Sequence, residues 1–564
     1  MKFTEYEYKR PDMPAIKKAI RSLIEEFKQA ATVEAQSEVI EKINAYRRDF
    51  STQANLVYIR ASIDTADEYY QNARDAFDEM EPEMDEVISE YYQALVQSPF
   101  RAELEEKWGT QLFALADNQI KGFSPAIIEL MQKENKLTSE YNKLVASAQI
   151  DFDGKTLTLA QLAPYGESTD RAVRKAAREA SANFFAENAE KFDDLYDQLV
   201  KIRHEIAVTL GFKNYAELGY IHMNRIDYDA AMVSKFREQV RQHIVPLVSK
   251  LYERQAKRIG VEELKFYDEG LSFLSGNAKP KGDADWIVAN GKKMYEELSP
   301  ETAEFFHYML DRELMDLVAK KGKESGGYCT FIENYDSPFI FSNFNGTSGD
   351  IDVLTHEAGH AYQVYASRNI GIPEYLWPTY ESAEIHSMSM EFFTWPWMEL
   401  FFEEDTEKYK FAHLSGGLIF LPYGVAVDEF QHVVYENPEL TPAERKQAWK
   451  EIEEKYLPHR DYDGHAYLES GGMWQRQGHI YASPFYYIDY TLAQICAFQF
   501  WKRSREDFES AWKDYNHLCS FGGSKPFTGL VKEAGLISPF EEGCVESVIG
   551  VIEDYLNSID DTKL

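Results

Sequence analysis

Residues 352–365 read DVLTHEAGHAYQVY, and the five at their centre, His356-Glu357-Ala358-Gly359-His360, decide how the rest of the chain is to be read. Val353, Leu354, Ala358, Ala361, Val364 and Tyr365 recur at helical spacing. That predicts a helix beginning near Asp350 or Asp352, with Ser348 or Asp350 as its N-cap. Positions four apart share one helix face, so His356 and His360 can turn two imidazole nitrogens toward a single ion. Glu357 is rotated by ~100° from the first histidine, which sets its carboxylate near such an ion and not on it. Catalytic zinc takes three protein ligands and keeps a fourth position for water, whose pKa falls to ~7, within reach of a neighbouring carboxylate base. Gly359 costs a helix ~1 kcal/mol relative to alanine, which predicts close approach of another segment at that point.

A third ligand has to come from elsewhere. A three-histidine site would need histidine at position 366, where the chain has Ala366. The other solution is a glutamate on a later helix, and Glu374, Glu381, Glu384 and Glu391 are the candidates. Glu384 and Glu391 lie seven apart in TYESAEIHSMSMEFFTWPW (379–397) and share a helix face; one can bind the metal while the other braces a ligand histidine. His386 projects to a different face and is expected to pack or hydrogen-bond.

Upstream, Tyr328 to Phe344 reads as a small β-hairpin turning at Asn334–Pro338, followed by a loop, SNFNGTSG (342–349). Ser299-Pro300 opens a helix expected to reach about Lys321, and GNAKPKG (276–282) is a loop before it. The first ~180 residues read as helices. Ile16, Ile20, Leu23, Ile24 and Phe27 mark one; Asp64–Gln97, interrupted at Pro82, is a second; Ser168–Leu210 is a third stretch. Ile150–Leu159 is β-like, with an Asp153-Gly154 turn, and the Tyr69, Tyr70 and Phe77 stripe is helix packing. From Asp350 to Leu556 the pattern is helical. The fold class is mainly α, with a small sheet beside the motif helix.

The bulk numbers set outer limits. At 564 residues, 44% hydrophobic and 27% charged, the chain is globular and exceeds one ordinary core. A net charge of -35 opposes binding to nucleic acid and to anionic membranes. Its four cysteines form no CxxC pair, which argues against a disulfide framework and for a reducing compartment. The N-terminus has no apolar signal core and no run of ~18 apolar residues is evident, so a cytoplasmic location is expected.

HEAGHAYQVYASRN (356–369) followed by PEYLWPTYESAEIHSMSMEFF (373–393) resembles the oligoendopeptidase F and thimet oligopeptidase superfamily of zinc peptidases. KGKESGGYC (321–329) and LVYIRASIDTADEYY (56–70) carry the likeness over nearly the whole chain. The resemblance implies that Glu384 is the third ligand of one zinc ion per chain and that Glu391 is the supporting carboxylate. It also implies two helical halves around a deep channel, cleavage of oligopeptides at internal bonds, and a strand near Phe339–Phe344 that pairs with the peptide. An N-terminal helical domain (1–185) and a catalytic domain (186–564) are expected. The late histidine and tyrosine cluster of that superfamily matches GHIYASPFYYIDY (478–490), with His479, Tyr486, Tyr487 and Tyr490. Ser483-Pro484 reads as a helix start, putting Tyr486 and Tyr490 one turn apart and Tyr487 away from them. Tyr490 and His479 are then the expected oxyanion donors and Tyr486 a substrate contact. An exopeptidase would need a cation for a free carboxylate; Arg476 and Arg460 are available, though no motif singles them out.

Overall fold

A computed structural model describes residues 1–564. The N-terminal third is built from long helices, among them Met13–Gln29, Val33–Ile63 and Glu68–Val96. Their apolar stripes close on one another through Ile20, Ile24, Phe27, Ile40 and Phe77, and Ile372 and Tyr375 join this core from a segment distant in sequence. The Glu68–Val96 helix runs through Pro82 without a break, against expectation. A proline there leaves the Asp78 carbonyl without its helical partner, and the Asn135 side-chain amide supplies the missing donor at 3.2 Å. The Ser168–Leu210 stretch is two helices, Arg171–Glu187 and Ala189–Thr209, parted at Asn188.

Two sheets interrupt the helices. β1 (Ile150–Phe152) and β2 (Lys155–Leu157) form a hairpin whose turn residues, Asp153 and Gly154, are both left-handed. The second sheet has β3 (Met315–Val318), β4 (Tyr328–Ile332) and β5 (Ser337–Phe344) in the order β3-β5-β4. β4 and β5 are the expected hairpin, although β5 runs on into Ser342–Phe344, read above as loop. β3 was not expected. The helix opened by Ser299 ends at Asp311, well before Lys321. Glu313 takes a left-handed conformation, and the Leu314 amide donates back to the Met309 carbonyl, a helix stop achieved without the glycine that would have signalled it. β3 then pairs parallel with β5. β5 is therefore the central strand, hydrogen-bonded on both sides, and the sheet edge beside the motif helix belongs to β4, part of it already taken where the Phe331 carbonyl accepts from Asn55.

Glu81 and Asp85 keep exposed side chains, yet burial among surrounding protein pushes their carboxyls up to about 7 and about 6. One helix in the chain, within 399–436, has the length and hydropathy of a membrane span, which the sequence reading had not noted. Most of that window is buried, and Leu414, Leu418, Leu421, Val425 and Phe430 place it in the protein core.

Candidate metal centre

The motif helix is Gly349–Ser367, and it follows directly on β5. Asp350 fixes the entry by accepting the Asn345 and Gly346 amides, both at 2.8 Å, so it orders the preceding loop; Ser348 occupies the N-cap position without a side-chain bond. His356 and His360 project from one face of this helix. The facing helix, Tyr380–Phe393, carries Glu384 and Glu391. A Cβ on Gly359 would lie 2.6 Å from the Ser387 Cα and 2.7 Å from the His386 carbonyl oxygen. Only glycine allows the two helices to pass this closely, which is the approach its presence predicted.

That packing brings Glu384 Oε2 to 3.1 Å from His356 Nε2 and 3.3 Å from His360 Nε2. One ligand atom from each of the three residues lies within 4.8 Å of the others, so a His-His-Glu metal-binding group is present. Glu384 is 1% exposed while His356 keeps 20%, so the group opens on the His356 side. Two imidazole nitrogens and one carboxylate oxygen are a donor set that suits zinc. His356 Nδ1 donates to Glu391 Oε1 at 2.7 Å, which leaves the Nε2 lone pair directed at the group. Ser387 Oγ donates to Glu384 Oε2 at 2.8 Å, and the Tyr486 hydroxyl donates to Glu384 Oε1.

Glu357 is buried beside the group. Its Oε2 has no hydrogen-bond partner, and a Cβ on Gly327 would stand 3.3 Å from its Oε1. Burial raises its carboxyl above the ordinary value against the pull of His356 and His360.

The other candidates sort cleanly. Glu374 is paired with Arg47 at 2.7 Å and bonded to the Tyr92 hydroxyl at 2.5 Å. Glu381 is buried in the neighbourhood of Arg225. His386 packs edge-on to Tyr515, with ring centroids 6.2 Å apart; neither ring nitrogen has a partner, and burial lowers its pKa to about 3. It is a packing residue.

Sequence reasoning missed the support behind Glu391. His413, on the long helix Thr406–Glu436, donates from Nε2 to Glu391 Oε2 at 2.7 Å, and Trp395 Nε1 donates to His413 Nδ1 at 3.1 Å. Glu391 thus accepts from two imidazoles at once. Nothing in local spacing marks His413, because its partners come from another helix.

His479, Tyr486, Tyr487 and Tyr490 come together. The helix expected from Ser483 begins instead at Tyr487. Phe485 is left-handed with its ring fully buried; its amide donates to Gln431 Oε1 at 2.8 Å and its carbonyl accepts from Arg225 Nη2 at 2.5 Å. These contacts hold the chain out of the helix for one more turn. Tyr486 and Tyr490 still stack, with centroids 5.0 Å apart. Tyr487 is not turned away from the group, because its ring lies 5.1 Å from that of His479. The Gln477 amide donates to His479 Nδ1 at 2.7 Å, and Gln477 Oε1 accepts from the Tyr423 hydroxyl at 3.0 Å. His479 Nε2 therefore carries the hydrogen and donates to the Tyr490 oxygen at 3.1 Å. Burial lowers the His479 pKa to about 4, so the ring is neutral.

Residues 165–272 and 296–548 match the description of peptidase family M3, and residues 3–123 match that of the M3 N-terminal domain. The fold superposes on that of PZ peptidase A, solved with an inhibitor, with a TM-score of 0.99, 65% identity and complete coverage of both chains. An oligoendopeptidase F homolog of Borreliella burgdorferi is 25% identical over 454 residues, 76% of this chain and 75% of that protein. The group B oligopeptidase PepB of Streptococcus agalactiae is 25% identical over 404 residues, 66% of this chain and 61% of that one.

Proposed function

Because the chain belongs to peptidase family M3 and is an oligoendopeptidase of that family, we propose the part each residue of the centre plays in cutting internal bonds of oligopeptides. His356 Nε2, His360 Nε2 and Glu384 Oε2 would hold one zinc ion per chain, which supplies a Lewis acid that acidifies water and polarises the scissile carbonyl. Glu391 orients His356, and His413 orients Glu391. Glu357 takes a proton from the attacking water onto its unpartnered oxygen and passes it to the leaving amine nitrogen.

The oxygen of the scissile carbonyl gains negative charge as the tetrahedral centre forms. Tyr490 and His479 are its proposed donors. The polarity of their bond supports Tyr490 as the one in direct contact: its oxygen already accepts from His479, which frees its own hydrogen to point outward. Tyr486 is proposed to contact substrate beside them, its ring stacked on Tyr490 and 4.4 Å from that of Tyr380, which is 50% exposed.

The peptide is proposed to align along β4. β5 is flanked on both sides and has no edge to offer. The Phe331 carbonyl points away from β5 and accepts from Asn55 at 3.2 Å. By the alternation of an antiparallel ladder, Cys329 also turns its backbone groups outward, and Gly327, just before the strand, lies against Glu357. An extended peptide added there by main-chain bonds would present its backbone to the base. A cytoplasmic location is proposed too, supported by four unpaired cysteines; the net charge of -35 supports oligopeptides over nucleic acids as partners.

The observation that carries this reading is the convergence of three ligand atoms beside a carboxylate whose oxygen is unspent. Its test is a quenched-fluorescent peptide blocked at both termini, with metal analysis alongside. Expected are one zinc per chain, internal cleavage, loss of cleavage on chelation, and recovery with zinc. Glu357→Gln should keep the zinc and lose ~10²–10⁴-fold in kcat. Full hydrolysis after exhaustive chelation would overturn the reading.

A further inference from the structure

Away from the metal group, a cavity of about 270 Å³ is lined by Arg178, Arg460 and Arg476 together with Tyr252, Tyr467 and Glu269. Its arginines are not all bonded. Arg460 is spent: it forms a bidentate pair with Glu269, at 3.1 and 2.8 Å. No carboxylate of the chain lies within 4.0 Å of Arg178 or of Arg476; Arg178 Nε has no partner, and Arg476 stands beside the Tyr423 hydroxyl. Glu167 and Glu269 act on Arg178 only through space, so its donors stay free for a ligand. Other arginines of the interior are each paired with a carboxylate: Arg174 with Asp268, Arg203 with Glu134, Arg225 with Asp489.

Arg178 is nonetheless held in place. Its Nε is buried with no partner. A Cβ on Gly166 would lie 2.5 Å from that Nε, and one on Gly270 would lie 2.6 Å from Nη2. Neither glycine has a left-handed backbone, so conformation does not call for them; what they provide is a slot in which the flat guanidinium fits. Burial, and then the nearby charge of Arg476, hold Arg178 below its ordinary pKa against the pull of Glu167 and Glu269. A fixed planar fork whose donors the protein leaves unused suits a carboxylate, which it can grip through two parallel bonds.

Arg476 ties the cavity to the proposed chemistry. It stands three residues before His479, and the residue after it, Gln477, is the one that sets the His479 tautomer. Tyr467, which lines the cavity, donates to the Gly472 carbonyl and to Gln475 Oε1, bracing the same segment. We propose that Arg178 and Arg476 form a binding site for a carboxylate of the peptide substrate, either its C-terminal group or an acidic side chain close to that end. This rests on the peptidase reading above and adds to it an anchor that limits how far a peptide extends past the scissile bond.

Binding separates this idea from catalysis. In the zinc-loaded Glu357→Gln protein, affinities are measured for three versions of one short peptide: a free acid without acidic side chains, its C-terminal amide, and that amide with glutamate as its last residue. The free acid is expected to bind about tenfold to a hundredfold more tightly than the amide. If the glutamate-bearing amide alone shows the gain, the ligand is a side-chain carboxylate. The ratio of acid to amide should fall toward one in Arg178→Met and, at an exposed position where folding is not at stake, in Arg476→Gln. Equal binding of all three peptides, or a ratio that both substitutions leave intact, overturns the proposal. If the differences hold but wild-type enzyme hydrolyses none of the peptides, the peptidase reading fails and the carboxylate site stands.

Discussion

Replacing Gly359 with alanine tests how the metal group is assembled. The added methyl would sit 2.6 Å from the Ser387 Cα and 2.7 Å from the His386 carbonyl oxygen, both backbone atoms that cannot swing aside. Restoring ordinary contact, which begins at 3.4 Å, requires the motif helix and the Glu384 helix to separate by about 0.8 Å. Overpacking of this kind costs ~1–3 kcal/mol, partly offset by the ~1 kcal/mol that alanine gains over glycine in a helix. Global stability should therefore change little. The metal group should suffer far more, since ligand positions have to hold to within about 0.2 Å and Glu384 comes from the helix being displaced. Zinc affinity, measured by competition with a chromogenic chelator, should fall roughly ten- to a hundredfold, while the melting temperature without metal shifts by only a few degrees. Wild-type zinc affinity in the alanine variant would refute the view that this helix contact sets the ligand geometry.

Three further outcomes are expected. Tyr490→Phe should lower kcat by roughly 10²–10³-fold with little change in KM, because the lost donor acts on charge that develops only during reaction; a steady-state comparison on one peptide decides it. His413→Phe should weaken zinc binding by about tenfold through loosening of Glu391, whereas His413→Gln, which can still donate to that carboxylate, should recover part of the loss in the same chelator competition. Asp268 is fully buried; burial pushes its carboxyl up, but Arg171, the Lys265 amide and Arg174 pull harder and leave it below the ordinary value. The unfolded chain therefore binds this proton first as pH falls, so the stabilisation is complete above the unfolded pKa and is lost as pH drops through the folded one. Asp268→Asn should cost ~3–5 kcal/mol near pH 7, and the gap between its melting temperature and that of the wild type should narrow as pH falls through the lowered folded-state pKa.

What was legible in the sequence was what depends on local spacing. Two histidines one turn apart and two glutamates two turns apart imply faces, and faces imply a shared ion; which glutamate completes the group came from the family resemblance and not from spacing. Gly359 was readable for the same reason, as a residue whose cost inside a helix needed an explanation. The tyrosine cluster was found by resemblance, but its helix start was misjudged because Phe485 is held left-handed by Gln431 and Arg225, both distant in sequence. β3 was hidden by a helix stop at Glu313 that uses no glycine. Pro82 misled in the opposite direction, since the compensating donor, Asn135, lies on another helix. His413 could not have been found at all by spacing, because its significance lies wholly in which carboxylate the fold carries to it.

The position of β4 at the rim of its sheet has a bearing on what such an enzyme would refuse. A border of outward-facing amides and carbonyls recognises the repeating skeleton common to all polypeptides, so it is indifferent to the order of side chains and can accept a mixture of fragments. Strands inside an intact domain have already committed those same groups to their neighbours and have nothing left to exchange. Discrimination between debris and native protein would then follow from hydrogen-bond availability, before the width of any entrance came into play.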